Sequence, residues 1–140
     1  MADKLAAILI KKAARIYDKM AEPEMNRYDL TESQYKVLKY LYTHPEGTVR
    51  QVDIERYYSL THPTAIGLLH TLEEKGFINR TVNPDDARSR IVTLSEKAKE
   101  EHKELIEVGE RLEAELTANL SEQEKEQLLE LLEKMVGREE

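Results

Sequence analysis

Apolar residues recur at helical spacing in six stretches of this chain and switch once, in between, to two short β-branched runs. Over residues 3–21 the positions Leu5, Ile8, Leu9, Ile16, Tyr17 and Met20 predict a helix, which Pro23 is expected to end. Thr31-Glu32-Ser33-Gln34 has the form of a capping box, so a second helix follows with Tyr35, Leu38, Leu41 and Tyr42 as its stripe. His44-Pro45-Glu46-Gly47 breaks it. A short helix from Gln51 to Tyr58 and a longer one from Thr61 flank the turn Ser59-Leu60. The longer helix carries Ala65, Ile66, Leu68, Leu69 and Leu72, tolerates Pro63 in its first turn and stops at Lys75-Gly76. Two short helices across a tight turn are the outline of a helix-turn-helix.

The runs 77–82 and 90–94 then predict two strands, and residues 83–89, Asn-Pro-Asp-Asp-Ala-Arg-Ser, supply turn chemistry throughout. This hairpin is a candidate wing. Ser95 caps a long charged helix over 96–119, with Leu105, Val108, Leu112 and Leu116 as a narrow seam. Ser121 to Glu124 forms another capping box and opens a last helix with Leu128, Leu129, Leu131, Leu132, Met135 and Val136. A seam this narrow, and the Leu128–Val136 face, both call for a covering partner.

The order helix, helix, helix-turn-helix, wing, long helix, short helix resembles the MarR family. The resemblance runs from Leu30 to about Val136 and is carried best by the run 72–80, Leu-Glu-Glu-Lys-Gly-Phe-Ile-Asn-Arg, and by Asp86-Ala87-Arg88 followed by Val92-Thr93-Leu94-Ser95. It implies one mainly α domain with a small β-hairpin wing. Residues 31–95 would be the DNA-binding module, and residues 1–30 and 96–140 the dimerisation helices. It further implies a homodimer that regulates transcription from a near-palindromic operator, by default as a repressor, and that a small-molecule effector releases.

In that arrangement Thr61, His62, Pro63 and Thr64 meet base edges and phosphates in the major groove, with Gly67 and His70 further along the same face. Gln51 lies at the start of the preceding helix, placed to touch the DNA backbone. Arg88 and Arg90 are the candidates for the minor groove, and Asp86 would brace Arg88 and the hairpin rather than touch DNA. Gly67 and Ala87 stand where the family carries further basic residues, which implies a shallower salt dependence. Tyr17, Tyr28 and Tyr35 come from helices that border the family's effector pocket, which suits a small aromatic or apolar anion.

Composition narrows the alternatives. The chain has 140 residues, 40% apolar and 35% charged, enough for one working core. The stretch Leu5–Ile10 is cut short by Lys11 and Lys12, well below a bilayer span, and no small-residue cleavage site follows it; a cytoplasmic protein is expected. The absence of cysteine excludes disulfides and thiolate metal sites. A net charge of −7 at first argues against nucleic acid, but residues 96–140 hold 15 acidic against 7 basic groups, while residues 1–95 hold 13 against 14. Residues 48–94 balance six against six, so this is no strongly basic reader.

His102 stands in no metal-ligating pattern, and neither a metal nor a cofactor is expected. There is no nucleophile elbow, zinc-protease motif or phosphate loop, so no enzyme is expected. The rival reading is a winged-helix adaptor that binds protein instead of DNA.

Overall fold

The computed structural model describes residues 5–137. Its elements are α1 (Ala6–Asn26), α2 (Glu32–Tyr42), α3 (Gln51–Tyr57), α4 (His62–Glu74), β1 (Ile78–Asn83), β2 (Asp86–Leu94), α5 (Glu96–Glu100), α6 (His102–Leu116) and α7 (Glu122–Val136). The mainly helical chain with one antiparallel hairpin is the architecture that the periodicities predict. Two compact units make it up. Leu30–Ile106 forms one, and the segments before and after it form the other, so the boundary falls inside α6. Residues 96–106, grouped above with the C-terminal helices, thus pack with the winged module.

In the Leu30–Ile106 unit the capping box forms as read. Thr31 Oγ1 accepts from the Gln34 amide at 3.2 Å, and Gln34 Oε1 accepts from the Thr31 amide at 3.0 Å. Lys75 Nζ donates to the same Gln34 oxygen at 3.0 Å, tying the start of α2 to the end of α4. Tyr35, Val37, Leu38, Ile54, Ala65, Leu69, Leu72, Phe77 and Val92 are almost wholly buried and form this unit's core. Losing one such leucine to alanine costs about 2–5 kcal/mol.

Both helices of the helix-turn-helix end in the same motif. After α4, Gly76 takes φ 83°, its amide donates to Glu73 O at 3.0 Å, and the Phe77 amide donates to Leu72 O at 3.0 Å. Phe77 and Leu72 are both buried, which supplies the apolar contact of a Schellman ending. After α3 the amides of Ser59 and Leu60 donate to Arg56 O and Glu55 O at 3.3 and 2.8 Å, and Ser59 takes φ 53°. The tight turn is therefore a Schellman ending with serine in the left-handed position.

The wing is longer than its turn chemistry suggests. Pairing runs from Ile78↔Leu94 through Val82↔Arg90 and resumes at Asn83↔Asp86 across an irregularity. Residues 83–89 were expected to form one loop, but Pro84 and Asp85 alone lie between the strands. Of that run only Asn83 and Asp86 pair across the hairpin, and side chains serve the rest: the Arg88 amide donates to Asp86 Oδ1, and Arg90 Nη1 donates to the carbonyls of Ala87 and Ser89. On the other edge of β2 the Val92 amide donates to Val49 O at 2.9 Å, and Arg50 bridges to Ile91.

The single helix expected over 96–119 is interrupted at Glu101 and ends at Leu116. The Ala98 carbonyl accepts from the Tyr42 hydroxyl, and the Tyr42 and His102 rings stack at 4.1 Å with 2° between planes. A carbonyl used this way is diverted from the helical ladder, which accounts for the break.

In the terminal unit α1 runs through Pro23 to Asn26, against the expectation that this proline ends it. Ala21 and Met25 are buried on either side, and burying a methionine offsets much of the roughly 3 kcal/mol that an interior proline costs. The expected helix start at residue 3 lies outside the described residues. Leu105, Val108 and Leu112 of the charged helix are at most 4% exposed within the chain, and Leu116 at the end of the seam is half-buried. The α7 face differs: no residue of that helix is buried, and Leu129, Leu131, Met135 and Val136 are 53–73% exposed.

Candidate nucleic-acid interface

α4 is anchored by Ala65, Leu69 and Leu72, which turns its other side to solvent. Thr61 caps the helix: its Oγ1 accepts from the Thr64 amide at 3.3 Å and donates to Thr64 Oγ1 at 2.9 Å. His62, Pro63 and Thr64 follow on the exposed first turn, and Gly67 and His70 are exposed further along. Ile66, counted above with the apolar stripe, is instead 38% exposed. It stands one turn from both His62 and His70, and this i, i+4, i+8 spacing is the signal by which the sequence could have assigned it to the outer face.

The histidines are engaged within the module. Glu55 of α3 accepts from His62 Nδ1 at 2.8 Å, with the Glu55 side chain 14% and His62 64% exposed. His70 Nε2 lies 3.5 Å from Glu74, with both side chains well exposed. Gln51 opens α3 half-buried, and its Oε1 is enclosed without a hydrogen-bond partner.

At the wing Asp86 Oδ1 accepts from the Arg88 amide at 3.0 Å and from Arg88 Nε at 3.4 Å, while the Arg88 side chain stays 93% exposed. Arg90 behaves differently: its guanidinium folds back and donates to the carbonyls of Ala87 and Ser89 at 3.3 Å each. Two further arginines of the winged unit are committed to carboxylates. Arg50 donates to Asp53 at 2.8 and 3.2 Å, and Arg80 donates to Glu73 at 3.0 Å. Burial alone would raise the Asp53 carboxyl, but hydrogen bonds from Arg50 hold it below its ordinary value. Arg88 is thus the wing cation least used by its own fold.

Tyr35 is a core residue, 2% exposed, with its hydroxyl donating to Leu105 O at 2.9 Å. Tyr17 and Tyr28 are half-buried members of the terminal unit. A shallow cavity of about 140 Å³ lies elsewhere in the winged unit, lined by Tyr42, His44, Val49, Val92, Lys99 and His102 among others. Among the described residues no cluster of three His, Asp or Glu could hold a metal, and no helix is long and apolar enough to cross a membrane.

An anchored recognition helix, a Schellman turn and a paired wing define a winged helix-turn-helix protein. The sequence profile of the MarR family matches residues 30–89. YwoH of Bacillus subtilis (strain 168), an uncharacterised HTH-type transcriptional regulator, is 30% identical over 117 residues, covering 84% of this chain and 83% of that protein. The chain belongs to the MarR family of transcription regulators. Among solved structures it is similar to S. aureus MepR in a DNA complex, with TM-score 0.86, 29% identity, and 94% of this chain and 96% of that one covered. It is likewise similar to a mutant E. coli MarR complexed with operator DNA, with TM-score 0.82, 27% identity, and 92% and 91% covered.

Proposed function

We propose that this protein is a homodimeric repressor that binds a near-palindromic double-stranded DNA operator in the cytoplasm, as a reader and not a catalyst. The observation that carries the reading is the outer face of α4: a capped helix N-terminus with Thr61, His62, Pro63, Thr64, Ile66, Gly67 and His70 all exposed above a fully buried anchor. Threonine hydroxyls and imidazoles hydrogen-bond base edges or phosphates, and the Ile66 side chain suits a thymine methyl. Arg88, braced by Asp86, reaches the flanking minor groove; Arg90 stiffens the wing and contributes charge nearby. Gln51 approaches the DNA backbone from the start of α3. Crystal structures of two similar proteins, MepR and MarR, on DNA support the same use of this fold.

The unburied leucines of α7 supply the apolar surface for a second copy, which would set two recognition helices one DNA turn, about 34–36 Å, apart. A small aromatic or apolar anionic effector, with Tyr17 and Tyr28 as candidate contacts, would release DNA by changing that spacing.

Selection of duplexes from a random pool at two salt concentrations tests the proposal. Enrichment of a near-palindrome with half-sites one turn apart is expected. No enrichment at either salt would sink the DNA reading and favour a winged-helix adaptor that binds protein.

A further inference from the structure

We infer that Glu55 is a positioning residue that sets base preference by fixing which nitrogen of His62 carries the proton. The inference rests on the DNA-binding reading above. Glu55 stands on α3 and His62 opens α4, so the contact crosses the helix-turn-helix itself. The Glu55 carboxylate, mostly buried, lies 2.8 Å from His62 Nδ1, and the imidazole remains 64% exposed.

An ionised carboxylate can only accept, so Nδ1 must be the N–H. On the neutral ring the other nitrogen, Nε2, is then an acceptor. In the major groove an acceptor is answered by the amino group of adenine N6 or cytosine N4, whereas guanine presents the acceptors N7 and O6. The opposite tautomer, with Nε2–H, would suit guanine or thymine O4. A glutamate that never reaches DNA therefore selects an amino-bearing base through His62. Glutamine at position 55 could either accept from or donate to Nδ1, which releases the choice.

The test is duplex selection in mildly alkaline buffer with the intact protein, His62→Ala, Glu55→Gln and the double variant. His62→Ala identifies the operator position that the ring reads. At that position the intact protein is expected to favour adenine or cytosine by about fivefold. Glu55→Gln should bring guanine and thymine up to near parity there and leave other positions unchanged. The double variant should match His62→Ala.

Guanine preference in the intact protein, or a Glu55→Gln profile identical to the original, would overturn the inference. So would a His62→Ala profile without a lost preference. Long-range ¹H–¹⁵N spectra of the intact protein read the tautomer directly and do not depend on whether a variant folds. Protonated Nδ1 with bare Nε2 is expected, and the reverse refutes the assignment. If the intact protein enriches no duplex, the DNA reading itself falls, an outcome separate from all of these.

Discussion

Arg80 and Glu73 clamp the recognition helix to the wing: Arg80 Nη2 donates to Glu73 Oε1 at 3.0 Å, and the Arg80 amide donates to Glu73 Oε2 at 3.2 Å. One carboxylate thus satisfies a side chain and a strand backbone at once. The hydrogen bond from Arg80 pulls the Glu73 carboxyl below its ordinary value. A depressed carboxyl stabilises the fold fully above its unfolded pKa and loses that contribution as pH falls through the folded one. Glu73 is 37% exposed, so solvent screening keeps the share modest. Glu73→Gln should cost about 0.5 kcal/mol at pH 7 and almost nothing near pH 3. Thermal unfolding at both pH values checks this, and an equal loss at both would contradict the clamp.

The two Schellman endings predict opposite responses to glycine chemistry. Ser59 sits at φ 53°, where a side chain is strained, and Gly76 sits at φ 83° with open space around it. Ser59→Gly is expected to stabilise the protein by up to about 1 kcal/mol, and Gly76→Ala to destabilise it by about 1 kcal/mol. Chemical denaturation of both variants decides the matter. Shifts of the same sign would mean that backbone strain is not what distinguishes the turns.

Much of this could be read from the sequence because it is local. Thr31 with Gln34, Thr61 with Thr64 and Gly76 with Glu73 all interact within five residues, and such pairs depend on little else. The misreadings come from distant partners. The Tyr42 hydroxyl diverts the Ala98 carbonyl from 56 positions away and breaks a helix that periodicity runs together. Met25 is buried and carries α1 past Pro23. The exposure of Thr61–Thr64 and His70 was legible from their place at the start of α4 and along one face. Ile66 was not, because an isoleucine on a helix reads as core until the anchoring residues are known. Glu55 gave no signal, since its role depends on how α3 and α4 cross.

The α7 face predicts how the chain associates. Leu129 and Leu131 are 53% and 64% exposed, so charging them removes little from the fold of one chain. A double Leu129→Glu, Leu131→Glu variant should lose less than about 1 kcal/mol of monomer stability, while any association through this face fails. Sedimentation equilibrium should show a dimer for the unaltered protein and a monomer for the variant, and operator affinity should fall with it. A variant that stays dimeric would move the interface elsewhere.

Gly67 lies in the middle of α4, exposed, with nothing within 4 Å of where a Cβ would stand. Its φ is not in the left-handed region, so a side chain there meets neither steric nor backbone resistance. Glycine inside a helix is about 0.8–1 kcal/mol worse than a good helix former. Gly67→Arg should therefore raise stability by a few tenths to 1 kcal/mol. If α4 enters the major groove, the same change adds a cation to the outer face of that helix, which carries no lysine or arginine of its own between His62 and Glu74. One added phosphate contact should steepen the slope of log affinity against log salt by about 0.9 and tighten binding at low salt. Fluorescence anisotropy on the selected operator, repeated across a salt series, measures both. A more stable variant with an unchanged salt slope would place this stretch of α4 away from the phosphates and confine DNA contact to the first turn and the wing.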